Sequence, residues 1–125
     1  MTVSADSKPN YSFSRAERLN SKKKIEELFK KGSSFRIKKI QIILLSQPLK
    51  QCKKVLISVS KKNHKTAVNR NRIKRIIREV YRKNKRKINA GDRGYLMAII
   101  YLGHNIPNFI ELEDQLQNLF KRLAI

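Results

Sequence analysis

Apolar residues recur along this chain with two different periods. Ile25, Leu28 and Phe29 follow helical spacing within 22–31, with Ser21 placed to cap the start and Gly32 to stop the run. Ser14, three residues before Glu17, resembles a capping box for a shorter helix upstream. Ile40–Leu45 (IQIILL) is a β-branched run closed by Gln47-Pro48, and Phe35–Lys39 begins the same strand or a short separate one. Val55–Ser60 alternates. Val55, Ile57 and Val59 point to a core, while Leu56, Ser58 and Ser60 face the other way, with hydroxyls small enough to leave that face open to a ligand. Thr66 caps a long helix that ends between Lys83 and Lys87. Tyr95–Tyr101 (YLMAIIY) is another strand. Pro107 or Asn108 opens a last helix whose apolar stripe is Phe109, Leu112, Leu116, Leu119, Phe120 and Leu123.

This order predicts an α+β two-layer sandwich, a small sheet covered by three helices. Residues 1–13, polar and broken by Pro9, are expected to form a flexible arm, and 14–125 a single domain. The strand–helix–strand unit from Val55 to Tyr101 predicts neighbouring parallel strands, with a right-handed crossover by the general rule.

Charge narrows the function. The chain has 125 residues, 30 of them Lys or Arg and 9 Asp or Glu, for a net charge of +21. A compact domain this basic repels itself, and a polyanion relieves the repulsion while releasing condensed counterions. Nucleic acid is therefore favoured as partner over an anionic membrane surface. No apolar run approaches the roughly 18 residues that a membrane span requires, and the N-terminus lacks the apolar stretch of a secretory signal. The single Cys52 rules out an internal disulfide or a cysteine zinc cage and fits a reduced, cytoplasmic setting.

The charge is also segregated. Leu28 to Arg78 holds 16 Lys or Arg and no acid, whereas the last helix carries Glu111, Glu113 and Asp114. On a helical wheel, Ile76, Ile77 and Val80 fall within roughly 60° of Ile73, while Asn71, Lys74, Arg75, Arg78, Arg82, Lys85 and Arg86 occupy roughly 100–220°. A face built only for solubility mixes signs and uses Glu–Lys pairs four residues apart. Here Glu79 is the only acid, and the preference for Arg suits bidentate phosphate contact.

Self-sufficient chemistry is missing from the pattern. His64 and His104 are distant in sequence and are expected on the surface or in loops. The acids form no cluster for two-metal catalysis, and no glycine-rich phosphate loop is present. No catalytic residue and no metal ligand is expected in the protein itself.

Ser58-Val-Ser-Lys-Lys62, followed by Ala67-Val-Asn-Arg-Asn-Arg-Ile-Lys-Arg-Ile-Ile-Arg-Glu79, resembles the protein component of bacterial ribonuclease P. Arg70-Asn71-Arg72 with Ile73, Lys74, Arg75 and Arg78 is similar to that family's RNR motif. The likeness extends more weakly over 15–123, including Arg18-Leu19. It implies the order αβββαβα with a left-handed crossover, in place of the general rule. It implies a subunit that binds a catalytic RNA and the 5′ leader of precursor tRNA, with Mg²⁺ held mainly by the RNA. By resemblance, Arg70, Asn71, Arg72, Lys74, Arg75, Arg78, Lys61 and Lys62 bind the RNA subunit. Phe29, Ile25, Ile43, Ser58, Ser60 and Arg18 line the leader cleft. Ile25 and Ile43 stand where the family has aromatic residues, which shifts the cleft from stacking toward apolar contact and charge. Two other readings of the same charge are a structural RNA-binding protein of the ribosome and a DNA-binding regulator with the long helix in the major groove. Uniform basicity fits phosphate contact better than base readout.

If six to eight phosphates are contacted, log K for RNA falls against log salt with a slope of about −4 to −7. Filter binding across a salt series checks this, and a nearly flat response would remove the electrostatic argument.

Overall fold

The computed structural model describes residues 17–49, 52–88 and 93–123. The arm at 1–13 and the capping box at Ser14 lie outside the described residues. Helix α1 spans Lys22–Lys31, and its cap is Ser21, whose hydroxyl accepts the Lys24 N–H. Strands β1 (Ser33–Ile37), β2 (Ile40–Gln47) and β3 (Lys53–Val59) follow. Phe35 thus belongs to a separate strand. A tight turn at Lys38-Lys39 folds it back on β2, and Lys38 takes a left-handed backbone with φ 52°. Helix α2 (Ala67–Asn84) begins where Thr66 accepts the Asn69 N–H and continues into a 3₁₀ turn at Lys85–Lys87. Strand β4 spans Gly94–Tyr101. Helix α3 spans Phe109–Arg122 and is capped by Asn108, which accepts the Ile110 N–H at 2.8 Å.

The four strands form one sheet in the order β1-β2-β4-β3. β2 pairs antiparallel with β1 and β4, and β3 pairs parallel with β4, as the strand–helix–strand unit predicts. Period-two alternation sends one set of side chains to each face. Ile40, Ile42, Leu44, Val55, Val59, Met97 and Ile99 meet Ile73, Ile77, Val80, Leu112, Leu116 and Phe120, so α2 and α3 cover this face together. Ile43, Leu96 and Ala98 point the other way and pack under α1 with Leu19 and Leu28. Helix α1 therefore covers part of the opposite face. It lies on β2 and β4 and leaves that face of β3 free of helix.

The buried stripe of α2 is broader than its aliphatic residues indicate, because Tyr81 and Asn84 complete it. Asn84 is accommodated by bonding: its amide donates to the Val80 carbonyl and to Glu113, and it accepts from Gln117. The Tyr81 and Tyr95 hydroxyls share a hydrogen bond of 2.7 Å within the core. Burial pushes the Tyr95 hydroxyl up to about 12; the Tyr81 bond works against the shift and the Glu17 carboxylate adds to it. Tyr81 is also raised, by burial first and then by Tyr95.

A phenol whose folded pKa lies above its unfolded value near 10 binds its proton more tightly when folded. The stability this contributes is intact below pH 10 and is lost as pH climbs toward 12, at about 2–3 kcal/mol for Tyr95. Urea unfolding at stepped pH should show this fall, and Tyr95→Phe should make it shallower. An unchanged pH profile in the variant would refute the assignment.

Candidate nucleic-acid interface

The ridge starts from the way α2 seats on the sheet. With Ile73, Ile77, Val80 and Tyr81 fully buried, the helix must turn Asn71, Arg72 and Arg75 outward, and all three are exposed. Lys74 and Arg78 flank them, half-buried along the β3 side. The ridge is shorter than the wheel indicates. Arg82 forms an ion pair with Glu79, whose carboxyl is held below its usual range by the Arg82 hydrogen bond. Lys85, assigned to the basic wall by its angle, turns instead to Glu17, with Nζ 3.0 and 2.9 Å from the two carboxylate oxygens in a largely buried pair. Sequence separation hides that contact.

Arg70 has local partners as well. Its Nη1 donates to the carbonyls of His64 and Lys65 at 2.9 and 3.0 Å. Lys61 and Lys62 sit exposed in the turn after β3. Val68 is 76% exposed, one turn before Arg72, so an apolar side chain stands within the ridge.

Arg18 lies where the chain enters α1. Its backbone makes a parallel bridge to Val55, and the Leu19 N–H donates to the Val55 carbonyl at 2.9 Å. A groove of about 350 Å³ on this edge brings Arg18 together with Lys74 and Arg78, over a floor that includes Val55, Leu56 and Ile57. The leader set and the RNA-subunit set therefore meet here. A larger cavity, about 550 Å³, lies between the β1–β2 turn and the start of α3. It mixes Lys38 and Lys39 with Glu111 and Asp114 and is not part of the ridge.

The cleft residues separate into floor and rim. Ile43 is in the core, and a methyl on Gly32 would lie 2.7 Å from its Cγ2, so the end of α1 approaches β2 too closely for any larger residue. Ile25 is partly buried against the same cluster. Phe29 is not core: its ring is 48% exposed, one turn beyond Ile25 on the same flank of α1. Ser58 pairs in register with Ile100, Ile100 with Gln41 and Gln41 with Arg36, making a row across the sheet in which Ile100 packs against the cluster under α1. Gln41 donates to Ser34 at 2.8 Å, and of the four residues in the row only Ile100 is aliphatic. Ser60 lies past the strand end, where its hydroxyl accepts the Asn63 N–H.

His64 lies in a loop, one of the two settings expected of it, but is not at the surface. It is 5% exposed, and its Nε2 donates to the Gly103 carbonyl at 2.8 Å. His104 is exposed, so the two loops meet but the rings do not form a catalytic pair. Among the described residues, no group of three or more His, Cys, Asp or Glu is placed to hold a metal ion. No described helix is long and apolar enough to cross a membrane.

A cationic ridge on one helix, an open strip of sheet behind it and a basic groove between them are the features of an RNA-binding protein. Residues 13–124 match the family model for Ribonuclease P, and the chain belongs to that family. The ribonuclease P protein component of Porphyromonas gingivalis strain W83 is 32% identical over 124 residues, covering 94% of this chain and 90% of the relative. That of Bacillus pumilus is 32% identical over 111 residues, covering 89% and 91%. Among solved structures, the RNase P protein from Thermotoga maritima superposes with a TM-score of 0.74 at 25% identity, covering 87% of this chain and 99% of that one. The Staphylococcus aureus RNase P protein gives 0.66 at 25% identity, covering 86% and 95%. The function is that of a protein subunit of ribonuclease P, an endoribonuclease of tRNA 5′ maturation, and the ribosomal reading is not favoured.

Exposure of the Phe29 ring makes a stability prediction. Phe29→Ala should cost at most about 1 kcal/mol, whereas Leu28→Ala, one residue earlier but fully buried, should cost about 2–5 kcal/mol. Paired thermal melts decide this; equal losses would put the ring in the core.

Proposed function

We propose that the ridge docks on the ribonuclease P RNA and that the strip beside α1 receives the 5′ leader of precursor tRNA. The observation that carries this reading is the run Asn71, Arg72, Lys74, Arg75 and Arg78, which has no acid in its sequence and turns Asn71, Arg72 and Arg75 outward, on a helix whose other face is locked into the core. Arg72 and Arg75 project furthest and take phosphates of the RNA subunit, with Lys61 and Lys62 extending the contact. Arg70 stands at the same end of the ridge. Arg18, in the basic groove with Lys74 and Arg78, joins the two surfaces. Phe29 offers a ring for stacking on leader bases, and Ser58 offers a small hydroxyl on the sheet. Ile25 and Ile43 support these as apolar floor.

Stacking and backbone charge are tolerant of sequence, as a processor of many precursor tRNAs requires. The phosphodiester is hydrolysed by the RNA subunit, and the Mg²⁺ ions belong with that RNA. The protein's part is to neutralise phosphate repulsion and hold the substrate, in the cytoplasm.

Reconstitution tests the reading. The protein alone should leave precursor tRNA intact, and adding ribonuclease P RNA at moderate Mg²⁺ should release the leader. Arg72→Ala or Arg75→Ala should weaken affinity for the RNA subunit by about 1–3 kcal/mol. Phe29→Ala should raise KM for substrates with long leaders and leave that for substrates without one unchanged. No gain in cleavage on adding the RNA would overturn the reading.

A further inference from the structure

The connection between β3 and α2 carries Lys61 and Lys62 and is short, polar and exposed at its tip. Such a segment ordinarily samples many conformations. Here it is fastened at each turn. The His64 N–H donates to the Ser60 carbonyl at 3.0 Å, and the Asn63 N–H donates to the Ser60 hydroxyl at 3.3 Å. The Asn63 side chain donates to the Leu102 carbonyl at 2.9 Å, and the His64 ring donates to the next carbonyl, that of Gly103, at 2.8 Å. From the helix side, the Arg70 guanidinium closes on the carbonyls of His64 and Lys65.

The anchoring strand end is rigid in its turn. Tyr101 donates to the Asn105 carbonyl at 2.7 Å, and its ring lies 6.1 Å from that of His64. A methyl on Gly103 would come within 2.3 Å of the Tyr101 hydroxyl, so the backbone that His64 grips is pressed against that ring.

This staple touches none of the outward ridge, yet it sets the position of everything at its N-terminal end. We infer that Asn63, His64 and Arg70 are positioning residues: they hold Lys61, Lys62 and the first turn of α2 in the arrangement that meets RNA. The lysines are thereby presented without an ordering cost on binding, which is how preorganisation raises affinity. Arg70, the first arginine of the motif, acts through the loop carbonyls. The inference rests on the docking role proposed for α2.

The test compares His64→Phe, which keeps a buried ring but lacks the donor, and Asn63→Ala, which removes one bond at a half-buried position, with the unaltered protein. Affinity for ribonuclease P RNA is measured over a salt series at a temperature where melting curves show each protein folded. The expected result is about five- to twentyfold weaker binding in both variants, with a salt slope shallower by about one to two because the lysine contacts are lost. Lys121→Gln, exposed on α3 outside the ridge, should leave affinity and slope unchanged. A staple that serves stability alone lowers the melting temperature but leaves the slope unchanged, and that result in both folded variants would overturn the inference. A flat slope in the unaltered protein would instead overturn the docking role itself.

Discussion

The seating of one amphipathic helix on the sheet is the interaction on which the rest depends. Ile73, Ile77, Val80 and Tyr81 are fully buried against β3 and β4, and each large apolar side chain so buried contributes about 1.5–3 kcal/mol. That contribution opposes the repulsion among cations spaced along the other side of the helix. It also fixes the rotation of the helix about its axis. A slip of one residue, about 100°, would drive arginines toward the sheet. The direction of the ridge is thus a consequence of the core, and its geometry is set before any partner arrives.

Cations in this protein divide into those that hold the structure and those that face out of it. Lys85 closes on Glu17 and pins the chain just before Arg18 to the far end of α2. Arg82 is occupied by Glu79 within the same helix. Arg70 braces the loop at the near end. Between these three lie Arg72 and Arg75, exposed on the outer side of the helix. Surface ion pairs contribute little to stability, so the Arg82 pair serves chiefly to bound the ridge, whereas the partly buried Lys85 pair can fix a position.

Sequence pattern made the elements legible because each rests on local rules. The caps at Ser21, Thr66 and Asn108 all form, and the alternation from Val55 holds as far as Val59, with Ser60 already past the strand. Neighbouring parallel placement of β3 and β4 followed from the helix between them. What pattern could not show was any contact between groups far apart in the chain. Glu17 and Lys85 are separated by 68 positions, and His64 finds a carbonyl 39 residues away. No periodicity encodes either. The wheel placed Lys85 among solvent-facing cations because angle records only which way a residue points along its own helix. Tyr81 was missed for a related reason: its hydroxyl needs a buried partner, and that partner, Tyr95, lies on another element. Spacing alone could not settle the exposure of Phe29, since it shares one apolar period with Ile25 and Leu28, and only the family resemblance set it in an open cleft.

The sheet topology explains why the two proposed RNA surfaces adjoin. Placing β3 at the edge, parallel to β4, sends α2 across one face while α1 covers only β2 and β4 on the other. β3, like β1 at the opposite edge, therefore has a helix on its first face and no helix on its second. Its edge is partly closed by the backbone of Arg18 and Leu19, which carries a guanidinium to within one groove of Lys74 and Arg78. A polyanion lying along α2 and a single strand crossing the open row at Ser58 and Ile100 would approach each other at that groove. Two negatively charged strands brought this close repel strongly unless cations stand between them, and in water the repulsion is screened over only about 8–10 Å at ordinary ionic strength. Three basic side chains drawn from two different elements occupy that position. Both elements are needed to supply them, and the edge position of β3 is what lets them converge.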